Sequence, residues 1–136
     1  MRIFISYKFT KVPTIALHQT VGVLVKALRD AGYEVFCNLE RDDEYIQKKW
    51  STKEIMTECL EELDKCDYHI TFVAPNTTLG EGMLLELGYA KKMNIPTLLL
   101  IPPYCGSIST RAVVDKFFIY KNMGHLLSRI LSLINN

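Results

Sequence analysis

Short apolar runs alternate with longer segments whose apolar residues recur at helical spacing. Arg2 to Ser6 is mostly apolar without alternation, the pattern of a buried central strand. Tyr7 to Thr14 is polar, aromatic and proline-containing, and reads as a loop. Leu17, Val21, Leu24, Val25 and Leu28 then share one helical face, with Thr14 as the expected N-cap and Gly32 as the stop. Tyr33 to Cys37 predicts a second strand. Asn38 to Trp50 carries charge but no period and predicts a long loop. Thr52 to Leu63 predicts a helix, with Ile55, Cys59, Leu60 and Leu63 on one side. Tyr68 to Ala74 predicts a third strand. A helix follows from Gly80 to Met93, ended by Asn94, and a fourth strand spans Thr97 to Ile101. Pro102 to Ser107 is turn-rich, Ser109 to Asp115 predicts a short helix, and Phe117 to Tyr120 a short fifth strand. Met123, Leu126, Leu127, Ile130, Leu131 and Ile134 form the stripe of a closing helix.

Strands alternating with helices imply a parallel sheet covered on both faces. Five strands in this length predict a single α/β domain over residues 1–136, doubly wound in the flavodoxin-like manner. Ligands of such sheets bind beyond the carboxyl ends of the strands. That rim gathers the residues after Ser6, Cys37, Ala74 and Ile101. It carries Tyr7, Lys8, the Asn38–Trp50 segment, Thr77 to Gly82 with Glu86, and Tyr104 to Ser109.

Composition narrows the function classes. Apolar residues make up 49% of the chain and charged residues 23%, ordinary globular usage. A net charge of +1 carries no electrostatic footprint of a nucleic-acid binder. No apolar run is long enough to span a bilayer, and the start reads as a strand rather than a signal peptide. Cys37, Cys59, Cys66 and Cys105 form no CxxC pair, and His18, His69 and His125 are scattered, so no metal or other cofactor is implied. Reduced thiols fit a cytoplasmic protein.

The residue that invites chemistry is Glu86, set among Leu84, Leu85 and Leu87. An ionised carboxylate among apolar neighbours is costly unless partnered. Either Glu86 points off the apolar face to solvent, or it is held at a site. Its place near the start of a helix predicts support for the charged form from the helix dipole. Gly80 and Gly82 allow close approach of a ligand to the backbone. Lys8, Lys11, Thr77, Thr78, Ser107 and Ser109 are rim donors that weakly favour an anionic ligand. Tyr7, Tyr45 and Trp50 can stack on a base or simply pack. His69, opening a buried strand, reads as structural.

Gly82-Met83-Leu84-Leu85-Glu86-Leu87-Gly88-Tyr89-Ala90, followed by Lys91 and by Ile95-Pro96 at a strand start, resembles the signature of the nucleoside 2-deoxyribosyltransferase family, which also includes 2'-deoxynucleoside 5'-monophosphate N-glycosidases. Arg2-Ile3-Phe4-Ile5, Cys66-Asp67 and Phe118-Ile119-Tyr120-Lys121-Asn122 extend the likeness over most of the chain. The resemblance implies cleavage or transfer at the N-glycosidic bond of a nucleoside or its 5'-monophosphate, with Glu86 as nucleophile. Phe4, Ser6, Tyr7, Lys8, Cys59, Thr78, Gly80 and Gly82 would then contact the substrate. It implies a homodimer or higher oligomer, in which Ser109 reaches a neighbouring site. The chain departs from the pattern where the family has a tyrosine (Phe4 here), an aspartate (Cys59) and, in nucleotide-preferring members, a serine (Gly80). A second likeness, of Ile3-Phe4-Ile5-Ser6-Tyr7 and Leu28 to Phe36, is to TIR domains, some of which cleave NAD with a glutamate. The residues before Glu86 lack the Ser-x-Trp-Cys of that family, so a TIR-like NAD-cleaving or signalling domain ranks second, and the departure at Cys59 leaves an inactive relative that only binds a nucleotide as a third alternative.

Overall fold

The computed structural model describes all residues, Met1 to Asn136. The strands are β1 (Arg2–Ser6), β2 (Glu34–Phe36), β3 (Tyr68–Phe72), β4 (Thr97–Ile101) and β5 (Lys116–Ile119). They form one sheet in the order β2-β1-β3-β4-β5, every pairing parallel. This is the flavodoxin-like doubly wound order. The helices are α1 (Thr14–Asp30), α2 (Asp42–Gln47), α3 (Thr52–Asp64), α4 (Glu81–Lys92), α5 (Ile108–Val113) and α6 (Met123–Asn135). None is long and apolar enough to cross a membrane.

The pleat divides the core in two. Ile3, Ile5, Ile70, Phe72, Leu98 and Leu100 face α1 and α6, joining Val21, Leu24, Leu28, Leu126 and Ile130 in the largest apolar cluster. Phe4 lies on the other face with Cys59 and Leu63 of α3 and Ala90 of α4. Val73, Leu99 and Ile101 pack there against Met83 and Leu87 of α4. This second face also takes Ser6 and His69, and with Thr71 they form a polar stripe under α3 and α4 that is almost wholly buried. Buried polar groups are costly without partners, so the stripe marks the face where the fold gives up stability.

Most predicted elements fall within two residues of their observed bounds. β2 loses Tyr33 and Cys37, and β3 ends at Phe72 rather than Ala74. Thr14 is the first helical residue of α1 rather than its cap: Pro13 precedes it and no side chain caps the helix. Gly32 does end the turn after α1, with φ of 95°. The expected long loop is the real departure. Asn38–Arg41 is a 3-10 turn and Asp42–Gln47 is α2. Only Leu39 and Tyr45 are buried in this stretch, too few for a visible period. It is held instead by charge: three acidic residues in the first turn of α2, a Lys48–Glu44 pair at 2.6 Å, and Arg41 paired with Glu58 of α3 at 2.7 Å.

The edge strand β5 is tied back by Tyr120, whose hydroxyl donates to the carbonyl of Val73 at 2.5 Å. Tyr120 is 1% exposed, so removing the hydroxyl leaves a buried carbonyl without that partner. Tyr120→Phe is expected to lower stability by about 1–2 kcal/mol in urea denaturation. An unchanged midpoint would show that this bond contributes nothing net.

Candidate active site

Glu86 projects from the middle of α4 toward the carboxyl end of β1. It is the sixth residue of that helix and only 6% exposed. Its Oε1 accepts a hydrogen bond from Ser6 Oγ at 2.6 Å. Ser6 Oγ in turn lies 2.7 Å from His69 Nε2. Cys59 of α3 packs behind the carboxylate, and its thiol accepts from the Asn38 amide at 3.6 Å. No ion pair of the chain involves Glu86.

Burial without a cation pushes the Glu86 carboxyl up from 4.5 to about 7, and the Ser6 hydrogen bond and the nearby Cys59 thiol, which favour the charged form, only partly offset this. The expected help from the helix dipole is therefore not what sets its charge. Glu86 lies beyond the first turn of α4, where that effect has fallen off. Burial also holds the Tyr7 hydroxyl far above its ordinary value and the Cys37 and Cys59 thiols at about 12, so these neighbours stay neutral.

Glu86 opens onto a small cavity of about 130 Å³. Phe4, Ser6, Tyr7, Asn38, Ile55, Met56 and Gly82 form its walls. Two larger hollows adjoin it, and both share Tyr7 and Phe9 with it. One, of about 260 Å³, is framed by Asp42, Tyr45, Lys49, Trp50 and Ile55. Its aromatic wall is rigid: Tyr45 and Trp50 lie 5.1 Å apart, and the Arg41 guanidinium rests over both rings. The Arg41–Glu58 pair and a bond from Tyr45 Oη to Glu58 at 2.8 Å lock that wall to α3. The other, of about 450 Å³, runs past Lys8 and Thr10 to Gly80, Glu81 and Gly82 at the start of α4. Phe9, which lines all three, is exposed.

The structure brings together Phe4, Ser6, Tyr7, Gly82 and Glu86 around one cavity, with Lys8 and Gly80 along its outer extension. Thr78 is exposed at the rim and accepts from Lys8 Nζ at 3.3 Å. Cys59 is fully buried and lines none of the three hollows, so in this arrangement it supports Glu86 rather than touching a ligand. Ser109 is exposed on α5 and also lines none of them. Thr77 and Ser107, read as rim donors, are buried and used locally: Thr77 donates to the Ala74 carbonyl and Ser107 accepts from Arg111. Glu58, the carboxylate beside Cys59, is held by Arg41 and Tyr45. Asp42 is the acid that reaches the aromatic hollow. Asn38 lines the cavity from the segment expected on the rim, whereas Met56 and Phe9 as lining residues and the bond between His69 and Ser6 were not foreseen. The only available signal was the pair of polar residues, Ser6 and His69, inside otherwise apolar strands.

A parallel sheet in the flavodoxin-like order with a buried carboxylate at the carboxyl end of its strands defines an α/β fold with a ligand cleft at the switch point between β1 and β3. Two solved structures share that fold. The CMP N-glycosidase BcmB of Clostridium botulinum matches with a TM-score of 0.67 at 18% identity, over 98% of this chain and 99% of that one. The 2-deoxyribosyltransferase of the psychrotolerant Bacillus psychrosaccharolyticus matches with a TM-score of 0.67 at 18% identity, over 87% of this chain and 85% of that one. No protein-family model matches the chain, and no curated protein matches it in sequence.

The raised Glu86 pKa links to stability with a definite sign. A carboxyl whose folded pKa exceeds its unfolded value stabilises below about 4.5, and that contribution is lost as pH rises through about 7. Glu86→Gln is therefore expected to be more stable than the native chain by about 3 kcal/mol near pH 9 and equal to it near pH 4. Urea denaturation at both pH values checks this. A variant less stable at the higher pH would mean that the charged form is satisfied in the folded protein.

Proposed function

We propose that the protein cleaves or transfers at the N-glycosidic bond of a nucleoside or its 5'-monophosphate, with Glu86 as the nucleophile. The observation that carries this reading is a buried carboxylate without a cation, supported on one oxygen by Ser6 and open to a cavity between an aromatic and a polar hollow. The likeness to an N-glycosidase and a deoxyribosyltransferase supports it.

In the first step a Glu86 oxygen forms a bond to the anomeric carbon as the bond from that carbon to the base nitrogen breaks. The electron pair leaves with the base. Build-up of positive charge on the sugar favours a desolvated carboxylate nearby, and the base leaves with a hydrogen bond from the Tyr7 hydroxyl or the Asn38 amide. In the second step water or another base attacks the same carbon and Glu86 departs as carboxylate; the proton the attacking group loses goes to the base anion released in the first step, and configuration is retained overall. The base stacks in the hollow of Tyr45 and Trp50, with Asp42 at its edge. The sugar substituent at the 5' position points toward Lys8 and the amides at the start of α4, a setting that suits phosphate.

Incubation with nucleosides, deoxynucleosides, their 5'-monophosphates and NAD, followed by chromatography of free base, tests the reading. Base release from a nucleoside or monophosphate is expected to fall by about a thousandfold or more in Glu86→Ala. In the native enzyme kcat/KM is expected to rise with pH to a plateau above about 7 as Glu86 ionises. Release unaffected by Glu86→Ala would exclude the role, and release from NAD alone would favour a TIR-like activity. Addition of a second free base separates transfer from hydrolysis.

The proposed enzyme is a cytoplasmic homodimer. Ser109 stands exposed on α5 beside Ile108, which is 91% exposed and unpartnered within the chain. A second copy packed on Ile108 would also cover the adjacent Ser109, the residue that the family resemblance assigns to a neighbouring site. Sedimentation is expected to give twice the chain mass, and Ile108→Glu to reduce it toward monomer. A native monomer would remove Ser109 from the site.

A further inference from the structure

His69 is 0% exposed, and nothing in the proposed chemistry uses it directly. It sits on β3 opposite Phe4 in register, and the Phe4 ring packs on it at a centroid distance of 5.8 Å. Desolvation pushes its pKa down to about 3, so the ring is neutral and carries one proton. Its two nitrogens have different surroundings. Nε2 meets Ser6 Oγ at 2.7 Å, whereas Nδ1 is buried with no partner. An orphaned buried N–H is rarer and costlier than an orphaned acceptor, so the proton belongs on Nε2.

That assignment decides what Ser6 can do. A hydroxyl has one proton and can accept through its lone pairs. With Nε2 protonated, His69 donates to Ser6 Oγ, and the Ser6 proton has a single strong acceptor left, Glu86 Oε1 at 2.6 Å. With the other tautomer, Nε2 would compete with Glu86 for the same proton. We propose that His69 and Ser6 are positioning residues for Glu86: the ring orients the hydroxyl so that its proton is committed to the carboxylate, which holds the charged form, once Glu86 ionises, aimed into the cavity. The proposal deepens the nucleophile reading and rests on it only for the consequence in base release.

No charged group competes in this role. The titratable side chains around Glu86 are Cys59 on α3, Cys37 after β2 and Tyr7 after β1. All three are raised by burial and neutral wherever Glu86 titrates. The buried Cys59 thiol lies behind the carboxylate and favours its charged form less than Ser6 does. The chain thus keeps a carboxylate where no cation and no second carboxylate adjoin it, through one uncharged donor, Ser6, and one neutral imidazole behind it.

The test is made on substrate-free protein by NMR. Nitrogen-15 shifts of the His69 ring are expected to show protonated Nε2 and bare Nδ1 at about pH 9, where Glu86 is ionised. The carboxyl carbon-13 titration of Glu86 is expected to move up by about one unit in Ser6→Ala and in His69→Phe. His69→Gln, which retains a donor at the same reach, is expected to return it to near the native midpoint. The acid limb of base release should move by the same amount in each variant. A bare Nε2 in the native protein, or a Glu86 midpoint unmoved in Ser6→Ala, would overturn the proposal. Should His69→Phe fail to fold, the native ring shifts and Ser6→Ala still decide. Shifted midpoints in a protein that releases no base from any nucleotide would sink the glycosidic reading and leave the relay standing. Base release with an unmoved midpoint would sink the relay alone.

Discussion

The carboxylate of Glu86 is removed from water without a counterion, and much of the second face of the sheet is arranged around that fact. Desolvation of an acid opposes its ionisation, and only hydrogen bonds to the charged form can oppose desolvation. The bond from Ser6 spans β1 and α4, so the helix and the strand must hold their spacing for the carboxylate to keep its donor. The spacing is set by apolar contacts on either side: Phe4 with Ala90, Cys59 and Leu63 toward one edge, and Val73 with Met83 and Leu87 toward the other. Polar residues sit between two patches of ordinary core.

Polar residues on this face weaken the core and create the cleft in the same stroke. Ser6, His69 and Thr71 occupy positions where the opposite face carries Ile3, Ile5, Ile70 and Phe72. Thr71 Oγ1 and His69 Nδ1 have no partner, a departure from the usual satisfaction of buried polar atoms. The face toward α1 and α6 has no such gaps and supplies the larger apolar cluster. Continuous apolar packing and the buried polar groups are thus divided between the two sides of one sheet.

The approach to Glu86 is framed by elements whose stability is electrostatic and aromatic rather than apolar. α2 has only Tyr45 buried, yet Arg41, Glu44, Tyr45, Trp50 and Glu58 interlock across its contact with α3. A wall of this kind ties Tyr45 and Trp50, both of which line the hollow, to α3. The opposite flank is backbone: Gly80 and Gly82 at the start of α4 leave room beside Lys8, and a Cβ at Gly80 would lie 3.3 Å from the Lys8 side chain.

Apolar periodicity by itself determined the order of strands and helices, and with it the parallel sheet, because runs of buried β residues and helical stripes are local patterns. It also picked out Glu86, since a charge within an apolar run is visible without coordinates. The 3-10 turn and α2 were illegible because ion pairs and one buried tyrosine leave no period. The role of Cys59 as a support behind Glu86, the separation of Ser109 from the cleft, and the line from His69 through Ser6 to Glu86 were decided only by tertiary structure. Ser6 and Glu86 are eighty residues apart in the chain and 2.6 Å apart in the fold. No local pattern encodes that distance. It follows from the packing of α4 against β1, and the burial that packing imposes is also what raises the carboxyl's pKa.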